Sequence, residues 1–144
     1  MNSRSRAPKG VDELKTLMAI HLLELGFTRV PDQCGYLELL PGNRFAFEYL
    51  FAPPRKWRFD AAIHVGFIED YRKGCTEAKF IAIEAEGLVR SGRGGHQTVK
   101  GFTANCEKYN EAILQGWILL RFPVSQIRDG SYLETVKRAI GGRT

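Results

Sequence analysis

No run of this chain approaches the roughly 18 consecutive apolar residues of a membrane-spanning helix. The basic opening MNSRSRAPKG has no apolar segment behind it, so it does not read as a secretory signal. A soluble, cytoplasmic protein with no membrane partner is expected. Cysteine is scarce: Cys34, Cys75 and Cys106 are odd in number, widely spaced, and lack a CxxC or histidines at metal-finger spacing. That pattern indicates neither a disulfide framework nor a structural zinc site, and leaves buried or inert thiols as the expectation. Internal repeats are missing too, and low complexity is confined to the N-terminal tail.

What is present suits one core. At 144 residues and 44% hydrophobic, the chain reads as a flexible basic tail over 1–10 and a single domain over 11–144. Its net charge of +5 and pI near 9.3 favour polyanionic partners, although charge alone is a weak guide. The placement of the charge says more. Arg55, Lys56 and Arg58 precede Asp60, while Arg90, Arg93 and Lys100 follow Glu84 and Glu86, so basic residues bracket acidic ones. A solvated surface is the bland account of any one of these cations.

The hydrophobic pattern sets an element order of roughly αββββαβα, an α/β (α+β) class. From Asp12, a candidate N-cap, Leu14, Leu17, Met18, Leu22 and Leu25 recur at helical spacing until Gly26, which suits a left-handed helix end. Residues 36–51 read as two strands about a Pro-Gly-Asn turn, with Phe45, Phe47, Tyr49 and Phe51 on one face and Ala46, Glu48 and Leu50 on the other. WRFDAAIHVGF and KFIAIEAE follow as strands. Thr103 is expected to cap a helix ending near Gln115 and Gly116, and GWILLRFP to form a short buried strand closed by Pro123, with Trp117 in the core. If that strand lies parallel to KFIAIEAE, the crossover should be right-handed. Ser131 and Glu134 have the S-x-x-E spacing of a capping box for the last helix.

Within this frame the acids are out of place. Glu84 directly follows an apolar run and Asp60 sits inside another, where carboxylates are uncommon unless paired or bound to metal. Glu84 and Glu86 are two apart in a strand and so share a face. Two like charges about 4 Å apart repel by roughly 4 kcal/mol at an effective dielectric near 20, and strand spacing softens this only in part. A divalent cation, the flanking arginines, or a proton shared between carboxyls could each relieve it. Two acids in two apolar strands suggest a hard-cation site.

Taken in order, WRFDAA, IAIEAEG, GRGGH, GF and CEKYNEAILQGWILLRF resemble the PD-(D/E)xK nuclease superfamily, and within it the small phage and prophage endonucleases related to the very-short-patch repair branch. The match spans roughly residues 45–123, and it is the order and spacing of individually weak motifs that carries it. The resemblance implies a restriction-endonuclease-like mixed sheet flanked by helices. It also implies Mg2+- or Mn2+-dependent hydrolysis of DNA phosphodiesters, in a bacterial or phage-infected host cell, on branched, mismatched or four-way substrates. Asp60 and Glu84 then correspond to the metal-holding acids, with the Ala85 carbonyl a further ligand. Glu48 aligns with an additional upstream acid, and His96 with a histidine beside the active site. The third motif position, usually lysine, is Glu86 here. Lys108 on the following helix is the first candidate to replace it, with Lys100 and Gln97 from the intervening loop as alternatives. Arg55, Lys56, Arg58, Arg90, Arg93 and Lys100 are candidate DNA contacts, and Trp57 a candidate for stacking on bases. A four-way junction resolvase falls within this reading and would require a homodimer. A DNA-binding protein inactivated by Glu86, or a glycosidase using Glu84 and Glu86, are the competing accounts.

Overall fold

The computed structural model describes residues 9–32, 42–66, 78–87 and 99–141. Leu14, Met18 and Leu22 recur every four residues along α1 (Lys9–Glu24), fall on one stripe, and are buried. The helix starts two residues inside the segment read as a tail. It ends where expected: Gly26 takes φ 92°, and the Phe27 amide returns to the Leu22 carbonyl at 3.0 Å.

Among the described residues five strands form one sheet in the order β1-β2-β3-β4-β5. The strands are β1 (Thr28–Arg29), β2 (Arg44–Leu50), β3 (Arg58–Val65), β4 (Lys79–Glu86) and β5 (Ile118–Pro123). β2, β3 and β4 are successively antiparallel, while β1 runs parallel to β2 and β5 parallel to β4. The result is a mixed, open α+β sheet. α1, α3 (Val124–Arg128) and α4 (Tyr132–Ile140) cover one face, packing Met18, Leu22, Ile127, Tyr132 and Val136 onto Phe45, Phe47, Ile63, Ile81 and Ile83. α2 (Val99–Leu114) covers the other through Ala112. No helix among the described residues is long and apolar enough to cross a membrane.

Tethers outside the ladders hold the layers. The His21 Nδ1 and the Tyr132 hydroxyl lie 2.8 Å apart, joining α1 to α4, and Lys79 Nζ donates to the Ala139 and Ile140 carbonyls at the end of α4. Just before β2, Asn43 Oδ1 accepts the Gly66 amide at 3.0 Å, and a Cβ on Gly66 would run into the Gly42 carbonyl. Only glycine allows that approach.

Several local expectations fail for identifiable reasons. α2 begins at Val99, so Thr103 is an interior residue whose hydroxyl donates to the Val99 carbonyl at 2.9 Å, and Lys100 lies in the first helical turn instead of a loop. β5 is an edge strand, with Phe122 its one buried residue, so it is not the buried strand its apolar letters suggest. The short α3 follows at once from Pro123, and the α3–α4 corner brings Asp129 Oδ1 onto the Ser131 amide at 2.8 Å. Ser131 is then already helical (φ −64°, ψ −24°) and its side chain makes no cap bond, so the capping box does not form. Cys106 is a free thiol exposed on α2, so of the buried or inert thiols expected it is not a buried one. Cys34, Cys75 and the strand read over 36–40 lie outside the described residues.

Candidate active site

The site begins with a break in alternation. Phe45 and Phe47 face α1, but Tyr49 and Phe51 belong to the core beneath α2, so the four aromatics do not share the face their spacing implies. The cause is Glu48, whose φ of 51° is left-handed and turns the strand over. β3 turns over at the same level. Phe59 packs on the α2 side and Ala61 on the α1 side, with Asp60 between them, and the ladder pairs Phe47 with Ala61 and Tyr49 with Phe59. Two acids therefore occupy one crease. They leave it in different directions. Glu48 pairs with Lys15 of α1 at 3.3 Å, so it does not share a face with Ala46 as alternation predicts.

Asp60 meets β4 instead. The β3–β4 ladder ends at Ala61 and Ile83, and just past it the Ala85 amide donates to Asp60 Oδ2 at 2.8 Å. The Asp60 backbone in turn donates to the Glu84 carboxylate. The two acids are thus neighbours across the strand pair. Glu84 is 7% exposed, and burial, followed by the Asp60 charge, pushes its carboxyl up to about 7 despite the opposing pull of Lys108. Lys108 Nζ reaches Glu84 Oε1 at 3.0 Å from α2, with 15% of its side chain exposed, and stands 5.9 Å from the centre of the Phe59 ring. Its inward direction follows from helix geometry: it stands four residues before the buried Ala112, on the same stripe of α2.

Glu86 is held differently. Arg121 Nε donates to its Oε1 at 2.7 Å and the Tyr109 hydroxyl at 3.3 Å. Burial and then the nearby Glu84 and Glu86 charges push the Tyr109 hydroxyl up to about 12, so it stays protonated as a donor. Arg121 also lies 4.6 Å over the Tyr109 ring. Neither Arg121 nor Tyr109 was singled out in the sequence. For Arg121 a signal existed, a cation inside the apolar run WILLRF, of the same kind that drew attention to Asp60. Tyr109 carried none beyond its place next to Lys108.

The structure brings together Asp60, Glu84, Ala85 and Lys108, with Glu86 alongside. Among the described residues no three of His, Cys, Asp and Glu are grouped as a metal cluster, so Glu48 does not complete a carboxylate triad. Arg55, Lys56 and Arg58 are exposed, although Arg55 lies 4.6 Å over the Trp57 ring and 4.0 Å from Glu107 of α2. Trp57 is half-buried and stacked against Phe51 at 6.2 Å, so much of its surface is already used in packing. Lys100 is exposed. Arg90, Arg93, His96 and Gln97 lie outside the described residues. Comparison of the chain with protein-family models, curated proteins and solved structures finds no match.

Proposed function

We propose that this protein is a metal-dependent DNA endonuclease of the PD-(D/E)xK type, related to the small phage enzymes, acting on branched, mismatched or four-way DNA. The observation that carries the reading is the buried Asp60–Glu84 neighbourhood with Lys108 upon it. With the two-residue β1 set aside, the order α1, β2 to β4, α2, β5 is compatible with the helix, three strands, helix, strand that the resemblance implies, and supports the reading to that extent.

The donor set fits a magnesium or manganese ion. Two hard carboxylates suffice for magnesium, which keeps several waters and uses phosphate oxygens for the rest. A buried acid raised to about 7 by burial and its neighbour's charge is also one that a dication would stabilise. Asp60 and Glu84 would hold the ion, with the Ala85 carbonyl beside them. The ion would polarise the phosphodiester and acidify a bound water. Lys108 supplies the cation that the motif position of Glu86 does not. Its ammonium holds Glu84 in place and presents further N–H donors to phosphate oxygens. Tyr109 and Arg121 fix Glu86 away from this exchange. Arg55, Lys56 and Arg58 offer charge to the DNA backbone.

The test is a cleavage screen of duplex, flap, mismatched and four-way DNA with magnesium or manganese. Cutting by the wild type that is lost in both Asp60→Ala and Glu84→Ala, with DNA binding retained, is the expected result. One observation favours a second reading, a DNA-binding protein without activity: Glu86 stands at the lysine position and is locked by Arg121. Binding with no cleavage of any substrate in either metal would establish that alternative.

A further inference from the structure

Beneath the C-terminal end of α2 the sheet carries a row of small residues. Ala46 pairs with Ala62 and Ala62 with Ala82, all in the core on the α2 side. Such a row leaves the sheet surface low, and aromatic rings lie across it. Trp117 stands 5.4 Å from Tyr49, 5.4 Å from Phe80 and 4.9 Å from Phe59, and Phe59 stacks on Phe51 at 4.0 Å. The rings do not close the space. A pocket of about 260 Å³ remains, with Tyr49, Phe51, Pro53, Phe80, Gln115 and Trp117 in its lining. Trp117, expected in the core, packs against it but is half-buried and also lines this cavity.

We propose that this pocket is a nucleobase subsite. Its volume lies just under the ~300 Å³ at which small-molecule sites begin, which suits one planar ring system. Its lining is mostly aromatic, the class of side chain on which bases stack whatever their sequence, and it includes the Gln115 side chain, whose Nε2 donates to Glu111 Oε1 at 3.1 Å and whose amide oxygen is an acceptor. Two features tie it to a nucleic-acid strand. Pro53 of its lining lies two residues before the exposed Arg55 and Lys56, which bring cations within reach of an attached phosphate. Phe59, whose ring stands 5.9 Å from Lys108 Nζ on one side, stacks on the pocket residue Phe51 on the other. The pocket is one ring away from the carboxylate site. An unstacked base, as found at a mismatch, flap or branch, would enter it while its strand crosses Lys108. This inference rests on the nucleic-acid reading above and adds to it which feature of the DNA is held.

The protein has two tryptophans, so Trp57→Phe leaves Trp117 as the sole indole. In that background, with calcium in place of magnesium, the titrants are a single-stranded oligonucleotide, the same oligonucleotide with abasic positions, and free deoxynucleoside monophosphates. The base-bearing strand is expected to quench Trp117 and to bind at least about fivefold more tightly than the abasic strand. Quenching by the monophosphates as well would identify the ligand as a free nucleotide in the same subsite. Equal binding of base-bearing and abasic strands without quenching would overturn the proposal. Gln115→Phe puts a ring at an exposed residue of the pocket lining. Labelled-strand anisotropy should then show the preference for base-bearing DNA lost, and a preference that persists counts against the pocket. Intact cleavage with an unresponsive Trp117 rejects the subsite alone. Base-dependent quenching without cleavage in any metal rejects the nuclease chemistry alone.

Discussion

Replacing Asp60 with asparagine keeps an oxygen for the Ala85 amide and removes one negative charge from beside Glu84. Glu84 is raised from 4.5 to about 7 in the folded protein, with burial the larger cause and Asp60 the next. A carboxyl whose folded value lies above its unfolded one binds more protons when folded. Its contribution is therefore favourable at low pH and is lost as pH rises from about 4.5 through about 7. The full span corresponds to about 3 kcal/mol. Asp60 is the second cause after burial, so removing its charge should recover part of that span and not all of it. Near pH 5, where Glu84 is protonated, Asp60→Asn should cost up to about 1 kcal/mol, because a neutral acceptor replaces a charged one at Ala85. Near pH 8 that loss should be outweighed, leaving the variant as stable as the wild type or more so, although unable to cut DNA. Urea unfolding at the two pH values measures the difference. Magnesium should raise the wild-type midpoint at pH 8 and leave that of Asp60→Asn nearly unchanged. An Asp60→Asn effect on stability that is the same at both pH values would refute the shared field of the two acids, and the metal site with it.

Lys108→Met removes the cation on Glu84, so the carboxyl should rise further above about 7 and cleavage at neutral pH should fall by roughly a hundredfold, read as a pH–rate profile displaced to higher pH. Glu86→Ala should keep cleavage within about tenfold of wild type, since Glu86 is committed to Arg121 and Tyr109; a loss comparable to that of Asp60→Ala would give it a catalytic role. Arg121→Ala breaks a half-exposed ion pair and should change unfolding stability by less than about 1 kcal/mol. Gly66→Ala forces a Cβ against the Gly42 backbone and should cost roughly 1–3 kcal/mol in urea unfolding. Lys56→Ala should weaken DNA binding and reduce the salt slope by about 1.

Periodicity exposed the parts of this architecture that one face or one stripe decides. The helix ends at Gly26 and Gly116 and the strands around Asp60 and Glu84 were legible because a left-handed glycine or an apolar run leaves a local mark. The two-residue β1 was not, because Thr28 and Arg29 are both exposed and two residues carry no period. The face reversal at Glu48 was also hidden. A single residue at positive φ re-aims everything after it, and nothing in RFAFEYL distinguishes that strand from one that alternates throughout. Ser131 shows the converse, a motif present in sequence and pre-empted by Asp129 once α3 had set the corner. The acids stood out because carboxylates in apolar strands are costly. Arg121 carried the same mark in its own strand, and it gains meaning from the pairing of β5 with β4, which sets it opposite Glu84 and within reach of Glu86.

Charge balance explains how glutamate can stand where the resemblance would place lysine. Asp60, Glu84 and Glu86 bring three negative charges to adjoining positions on β3 and β4, and Lys108 and Arg121 bring two positive ones from α2 and β5. Arg121 cancels Glu86 at the half-exposed end, where an ion pair costs little desolvation. Lys108 is left to serve the buried pair, which it cannot neutralise alone. Where Glu84 is ionised, above about pH 7, one negative charge therefore remains between Asp60 and Glu84, in the least solvated part of the site. A lysine at position 86 would have erased that excess. With glutamate there and Arg121 set against it, the deficit of positive charge stays at the two oxygens that the proposed chemistry assigns to a dication, and the lysine is supplied from the helix across the sheet.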